Sequence, residues 1–421
     1  MYFNVDELRA KFPALSIEDD GKPRVYLDNP AGTQVPHRVL ERMERYLVRS
    51  NANSGGYFVT ARESDVLKTQ ARQAMADLLN APDLSEIVFG PNMTTLTYSV
   101  SRAIGRLLKP GDSIIVTRMD HDANVYPWLQ LAEDLGLTVK FLPFNRETYQ
   151  FDLQNFAELL DETVKIVAIG HASNALGTIN NIPEMCKMAH EYGAWVYVDA
   201  VQSAPHIPVD VQSLGCDFLV CSSYKFFGPH QGILWGRKSI LDHLKSYQVR
   251  PAKDKLPGKF ENGTQSHEGM AGVLGALEYL AEVGEMFGDP FSANFPNFSG
   301  QQLGLHTAMA AIQSYEQTLS NYLIRGLQQI SGVKVHGVTD RNELQHRVPT
   351  VTFTKENVHP NDIAKQLAAE NTFVWSGHFY AVEVIDFLGL AESGGLLRVG
   401  AAHYNTADEI DKLLNVVDSI R

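Results

Sequence analysis

The stretch Cys221-Ser222-Ser223-Tyr224-Lys225-Phe226-Phe227-Gly228-Pro229 ends an apolar run, Phe218–Cys221, with polar residues, one lysine and a Gly-Pro turn. The run is short and rich in branched and aromatic side chains, as a buried parallel strand should be. Lys225 then stands just past a strand's carboxyl end, where open α/β sheets bind ligands. In apolar surroundings its amine has a lowered pKa and becomes a nucleophile toward an aldehyde. A solvated loop lysine is the ordinary reading of such a residue, and the neighbouring strands decide between the two.

Working outward, the same pattern recurs at Glu86–Phe89, Ser113–Thr117, Thr138–Leu142, Ile166–Gly170 and Trp195–Asp199. Helical stretches alternate with these strands at Asp65–Leu79, Thr94–Leu108, Tyr126–Leu135 and Ile182–Tyr192. This alternation predicts an α/β fold, a sheet covered by helices on both faces. A Gly-, Pro-, Phe-, Asn- and Ser-rich segment, Gly284–Gly300, reads as a loop or domain junction. Beyond it come a helix at Leu305–Leu327, strands at Val333–His336 and Thr350–Phe353, a helix at Pro360–Glu370, another strand, and a helix at Thr406–Ile420. A chain of 421 residues exceeds one core, so two lobes are expected. The large one takes 21–300, and a smaller α+β lobe takes 1–20 and 301–421.

The formal charge of −13 argues against a nucleic-acid or anionic-membrane partner. A 44% hydrophobic and 20% charged composition is that of a soluble globular chain. No apolar run reaches the roughly 20 residues of a bilayer span, and Met1–Ala10 lacks a signal-peptide core. Three cysteines, Cys186, Cys216 and Cys221, are too few and too unevenly spaced for a disulfide framework or a zinc site. No metal is expected, and the chain reads as cytoplasmic.

Other strand ends carry chemistry too. Val196-Tyr197-Val198-Asp199 ends in a carboxylate 26 residues before Lys225, which reads either as a helix N-cap or as the partner of a protonated pyridine nitrogen. Phe89-Gly90-Pro91-Asn92-Met93-Thr94-Thr95 places two hydroxyls at a helix start, either as a simple cap or as a phosphate site. His121, after Ser113–Thr117, can lie over an aromatic ring and shuttle protons. Asn174, after Ile166–Gly170, offers an amide. Each alone is an ordinary polar loop residue. Together they form the set that pyridoxal 5'-phosphate requires, with Lys225 holding it as a Schiff base.

On these residues the chain resembles the class V aminotransferase group of fold-type I pyridoxal phosphate enzymes, and most closely cysteine desulfurases and selenocysteine lyases. The resemblance runs from Tyr26-Leu27-Asp28-Asn29 to Tyr404-Asn405-Thr406, with His121, Asn174, Asp199, Gln202 and Lys225 in the group's order. It implies a mainly parallel seven-stranded sheet in the large domain. Thr94, Thr95, Ser222 and Tyr224 would hold the phosphate, with Tyr224 where desulfurases usually have histidine. His121 would stack on the ring, Asp199 would bind its nitrogen, and Gln202 and Asn174 would sit near its phenolic oxygen. Thr264, in Phe260-Glu261-Asn262-Gly263-Thr264, would reach the phosphate of the neighbouring subunit, implying a homodimer with shared sites. Asn53-Ser54-Gly55-Gly56-Tyr57 is a further candidate for such a contribution. Arg398 would clamp the substrate carboxylate.

The chain departs from that group at Trp375-Ser376-Gly377-His378-Phe379-Tyr380. Trp375 stands where desulfurases carry an arginine, and Tyr380 where they carry the persulfide-forming cysteine. The cysteines present read as core, so the persulfide route lacks its nucleophile. What remains is a C–S lyase acting by β-elimination on cysteine, cystine or a cysteine conjugate. Lys225 would be the base, and Tyr380 an acid or a packing residue. Arg398, Asn174, Trp375 and His378 are the candidate substrate-binding residues, with Trp375 favouring a larger or less charged side chain. Transamination and epimerisation are alternatives within the same group, and a non-catalytic sulfur-assembly partner is another. A nucleotide enzyme is disfavoured, because neither phosphate-binding glycine motif occurs.

Overall fold

The computed structural model describes residues 3–252 and 254–420. Its centre is a seven-stranded sheet of β1 (Ile87–Gly90), β2 (Ser113–Thr117), β3 (Thr138–Leu142), β4 (Val164–Gly170), β5 (Trp195–Asp199), β6 (Phe218–Ser222) and β7 (Gly232–Gly236). The order across the sheet is β1-β7-β6-β5-β4-β2-β3. Only β7 runs antiparallel to its neighbours, so the sheet is mainly parallel, as expected. Apart from the edge strand β3, the strands are almost wholly buried because they are covered on both faces. Alternate residues enter different cores, with Leu219 and Cys221 on one side of the sheet and Phe218 and Val220 on the other.

Chain order reverses between β4 and β2, which opens a crevice at the strands' carboxyl ends. Helices begin there with side-chain caps. Asn92 accepts from the Thr95 amide ahead of the helix Met93–Gly105, and Asn181 caps Ile182–Glu191.

A second sheet, in the order β8 (Val333–His336), β9 (Thr350–Lys355), β11 (Leu396–Gly400), β10 (Trp375–Gly377), is antiparallel throughout. Val25–Tyr26 pairs with Thr372–Phe373, and Val25 and Leu27 share this layer's core with Phe353, Leu397 and Val399. A separate cluster joins loop residues Met119, Ala175 and Leu176 of the large sheet to Phe379, Ala381 and Val384. It packs the 377–385 segment over the crevice.

The expected junction at Gly284–Gly300 begins later. The helix His267–Phe287 runs through Gly284, and the helix Gly300–Gln329 starts before the predicted Leu305. Gly284 is interior to its helix because a Cβ there would strike the Gly304 carbonyl of that neighbouring helix. The glycine marks a close helix crossing, with the turn falling in 288–299. No helix among the described residues is long and apolar enough to cross a membrane.

Candidate active site

Lys225 ends a short turn, Ser223–Lys225, that follows β6 directly. Its side chain is buried, and its Nζ donates to the Pro30 carbonyl and, at 2.9 Å, to that of Ala31. The loop supplying these carbonyls is tied down on three sides. Asn29 Nδ2 donates to the Tyr26 carbonyl (2.9 Å) and the Gly400 carbonyl (2.8 Å), and Gln202 Nε2 donates to the Pro30 carbonyl (2.9 Å). Thr33 Oγ1 accepts from the Phe227 amide. Burial, followed by the nearby Arg398 charge, pushes the Lys225 amine down to about 7, against the pull of Asp28 and Asp199.

A cavity of about 600 Å³ lies over this amine, within the size range of cofactor sites. Of the expected residues, Thr94, His121, Asn174, Asp199, Gln202, Tyr224, Lys225, Trp375, His378, Tyr380 and Arg398 all line it.

Asp199 ends β5, and its Oδ1 accepts from the Val201 amide at 2.8 Å. Burial raises its carboxyl to about 6, and a cation at its free oxygen would restore the charge. His121 Nδ1 accepts from the Ala123 amide at 3.0 Å, so the proton of the neutral ring sits on Nε2. Burial, then Lys225, pushes this imidazole down to about 3 and keeps it neutral. Its ring stacks on Tyr380 with centroids 5.5 Å apart and planes at 21°.

Arg398 Nη1 donates to the Asn174 carbonyl (3.2 Å), Nη2 lies 3.3 Å from Asp28 Oδ1, and the guanidinium covers the Phe379 ring. Three buried atoms here have no partner: Arg398 Nε, Asn174 Oδ1 and Gln202 Oε1. Buried polar atoms are nearly always satisfied, so the wall lacks a polar group that a ligand would supply. A buried amine, a buried carboxylate, a neutral imidazole plane and unpartnered amide atoms fit pyridoxal phosphate.

Other expected residues lie outside the wall. Thr95 is exposed, because consecutive helix residues point about 100° apart and Thr94 takes the inward direction. Ser222 is fully buried, and its Oγ accepts from the Met93 amide at 3.1 Å, fixing the helix start against β6. Thr264 is exposed and away from this cavity. Among the described residues no cluster of metal-ligating side chains occurs.

Sequence reasoning missed the Pro30 and Ala31 carbonyls, since backbone acceptors leave no side-chain signature. It also missed Asp120, which bridges the Gly170 amide (2.9 Å) and Asn124 Nδ2 (2.9 Å) and is raised to about 7 by burial. A buried acid immediately before His121 was the available signal.

A family model described as aminotransferase class-V matches residues 25–287 and 302–413. A probable cysteine desulfurase from Halalkalibacterium halodurans is 32% identical, with 97% of this chain and 96% of that protein covered. The solved apo structure of a cysteine desulfurase from Thermococcus onnurineus superposes with a TM-score of 0.86 at 27% identity, covering 99% of this chain and 98% of that one. A cysteine desulfurase structure from Escherichia coli gives 0.82 at 29% identity, over 99% and 98%.

Proposed function

The chain belongs to the class V aminotransferase family and is a pyridoxal phosphate-dependent enzyme; from that premise we propose a C–S lyase that eliminates sulfur from Cβ of cysteine, cystine or a cysteine conjugate, with no protein persulfide. The carrying observation is the position of the cysteines. Cys186, Cys216 and Cys221 are all buried, and none lines the cavity. Burial pushes the Cys186 thiol up to about 12 and raises the other two as well. A sulfur-accepting cysteine must be ionised and accessible. Tyr380, at the cavity's exposed rim, has no such chemistry.

Bound in the cavity, pyridoxal phosphate supplies an electron sink for the pair left when a substrate Cα–H bond breaks. Lys225 would anchor it, Asp199 would hold its ring nitrogen and His121 its face. Gln202 and Asn174 would lie near its phenolic oxygen, and Thr94 and Tyr224 near its phosphate. An amine poised near neutrality suits Lys225 to take the Cα proton and to supply one to Cβ. Arg398 would grip the substrate carboxylate through its unpartnered Nε and one terminal nitrogen. The Tyr380 phenol, stacked on His121, would protonate the departing sulfur. For cysteine the net reaction is cysteine plus water giving hydrogen sulfide, pyruvate and ammonia.

We further propose a cytoplasmic homodimer with shared sites. Three free thiols suit a reducing compartment. Tyr57, Phe58 and Val59 form an exposed apolar run of the kind that marks an interface, and Thr264 is exposed and free to serve a neighbouring site. The lyase is tested by incubating the holoenzyme with cysteine or a conjugate in thiol-free buffer. Pyruvate and sulfide or thiol in equal amounts support it. A product that needs a second 2-oxo acid, or a persulfide trapped on a cysteine, overturns it.

A further inference from the structure

The cavity is charged at depth and aromatic at its mouth. Lys225 and Arg398 are the only lysine or arginine among its described lining residues, and both are buried. At the open end stand Trp375, Tyr380 and Tyr126, each 48–66% exposed, and Asp122 lines the same cavity. An amino acid held by its carboxylate at Arg398 would therefore extend its distal group among aromatic faces and one acid, with no second cation to meet.

This wall is fixed in place. Phe379 and Tyr380 both adopt left-handed backbone, φ 53° and 58°, which is costly for bulky residues and survives only where the surroundings impose it. Asn174 Nδ2 donates to the Phe379 carbonyl (2.8 Å), the Asp122 amide to the Tyr380 carbonyl (2.6 Å), and the Tyr380 amide to His378 Nδ1 (3.0 Å). In this conformation the Tyr380 ring stacks on His121, so the aromatic surface exists before any substrate arrives.

Resting on the reading that this enzyme breaks a C–S bond, we propose that its preferred substrates are cysteine S-conjugates with an apolar, best an aromatic, group on sulfur. Cystine would set a second carboxylate and ammonium against the aromatic faces, and free cysteine would leave those faces without contact. In the reaction the Cβ–S bond breaks with its electron pair on sulfur, which takes a proton and leaves as the thiol. Cβ gains a proton, and water replaces nitrogen at Cα. The balance is conjugate plus water giving thiol, pyruvate and ammonium.

The test compares S-benzylcysteine with S-methylcysteine and cystine on the holoenzyme, reading pyruvate for kcat/KM and the cofactor's absorption for Kd. S-benzylcysteine should exceed both by at least about tenfold in kcat/KM, the scale of burying one aromatic ring. Trp375→Ala should collapse that ratio while the cofactor band persists. Equal or inverted ratios in the native enzyme, or ratios unchanged in both Trp375→Ala and Tyr380→Ala, overturn the proposal. If no compound yields pyruvate, the elimination reading falls and the preference is scored on Kd alone. Tighter S-benzylcysteine binding, lost in Trp375→Ala, then supports it, and equal Kd values overturn it.

Discussion

Trp375 and Arg398 lie directly opposite each other on the antiparallel strands β10 and β11, so both side chains leave the same face of the small sheet and enter one cavity. The guanidinium is buried and the indole more than half exposed. One strand pair thus presents both the carboxylate anchor and the surface that meets the substrate's far end. A displacement of the small sheet would move the two together and preserve their spacing.

Arg398→Lys tests the anchor. A lysine keeps the charge but loses the planar fork, and with it roughly one charge-assisted hydrogen bond, about 1.5–3 kcal/mol. KM for every amino-acid substrate should rise by about 10- to 100-fold while the bound cofactor's spectrum is retained. An unchanged KM would remove Arg398 from the substrate site.

Lys225→Ala should abolish covalent retention of the cofactor. After borohydride treatment, intact mass spectrometry should find the reduced adduct on the native chain and none on the variant. Turnover should fall by at least about 10²–10⁴, the usual contribution of a positioned base. An adduct on the variant would place the attachment elsewhere.

The lowered Lys225 pKa sets a pH dependence. Only the neutral amine attacks an aldehyde, so covalent uptake of pyridoxal phosphate by apoenzyme should rise with pH through about 7 and level off above it. Stopped-flow absorbance across pH 5.5–9 in ~0.5-unit steps measures the midpoint. A rise centred on the ordinary lysine value, about 10.4, would mean that burial does not control this amine.

Much of this site was legible from strand ends. Apolar runs closing in a polar residue located Asp199, His121, Asn174 and Lys225, and the bounds of Ser113–Thr117, Thr138–Leu142 and Trp195–Asp199 agree with the structure. Legibility stopped where backbone or long-range packing decides. The Pro30 carbonyl reaches Lys225 across 195 residues of chain. Thr94 and Thr95 look equivalent in sequence, yet the turn of the helix brings only Thr94 to the wall. Gly284 reads as a breaker, and only its contact with Gly304 explains it inside a helix.

Gly400→Ala should loosen the loop under Lys225. A Cβ at Gly400 would collide with the Pro30 ring, and Pro30 belongs to the segment that holds the lysine amine. Forcing an extra carbon into a packed site costs about 1–3 kcal/mol. Thermal unfolding of the apoenzyme should fall accordingly, together with slower cofactor attachment. A drop in stability with normal attachment would separate packing from positioning.

The cysteine-free variant Cys186→Ala/Cys216→Ala/Cys221→Ala decides between the two sulfur chemistries. The three thiols fill core positions, Cys221 in the cluster with Leu219 and Phe226, so each truncation should cost about 1 kcal/mol. If Lys225 acts without a sulfur-accepting partner, the variant should keep pyruvate and thiol release within about threefold of native, roughly 0.7 kcal/mol on the barrier. If a thiolate carries the reaction, turnover should collapse while the fold and the cofactor spectrum persist. Tyr380→Cys probes the same question from the other side. It returns a thiol to the exposed rim beside His121, so trapped persulfide should emerge in that variant and be absent from the native enzyme. Persulfide in the native enzyme would restore the desulfurase route despite the buried positions of all three cysteines.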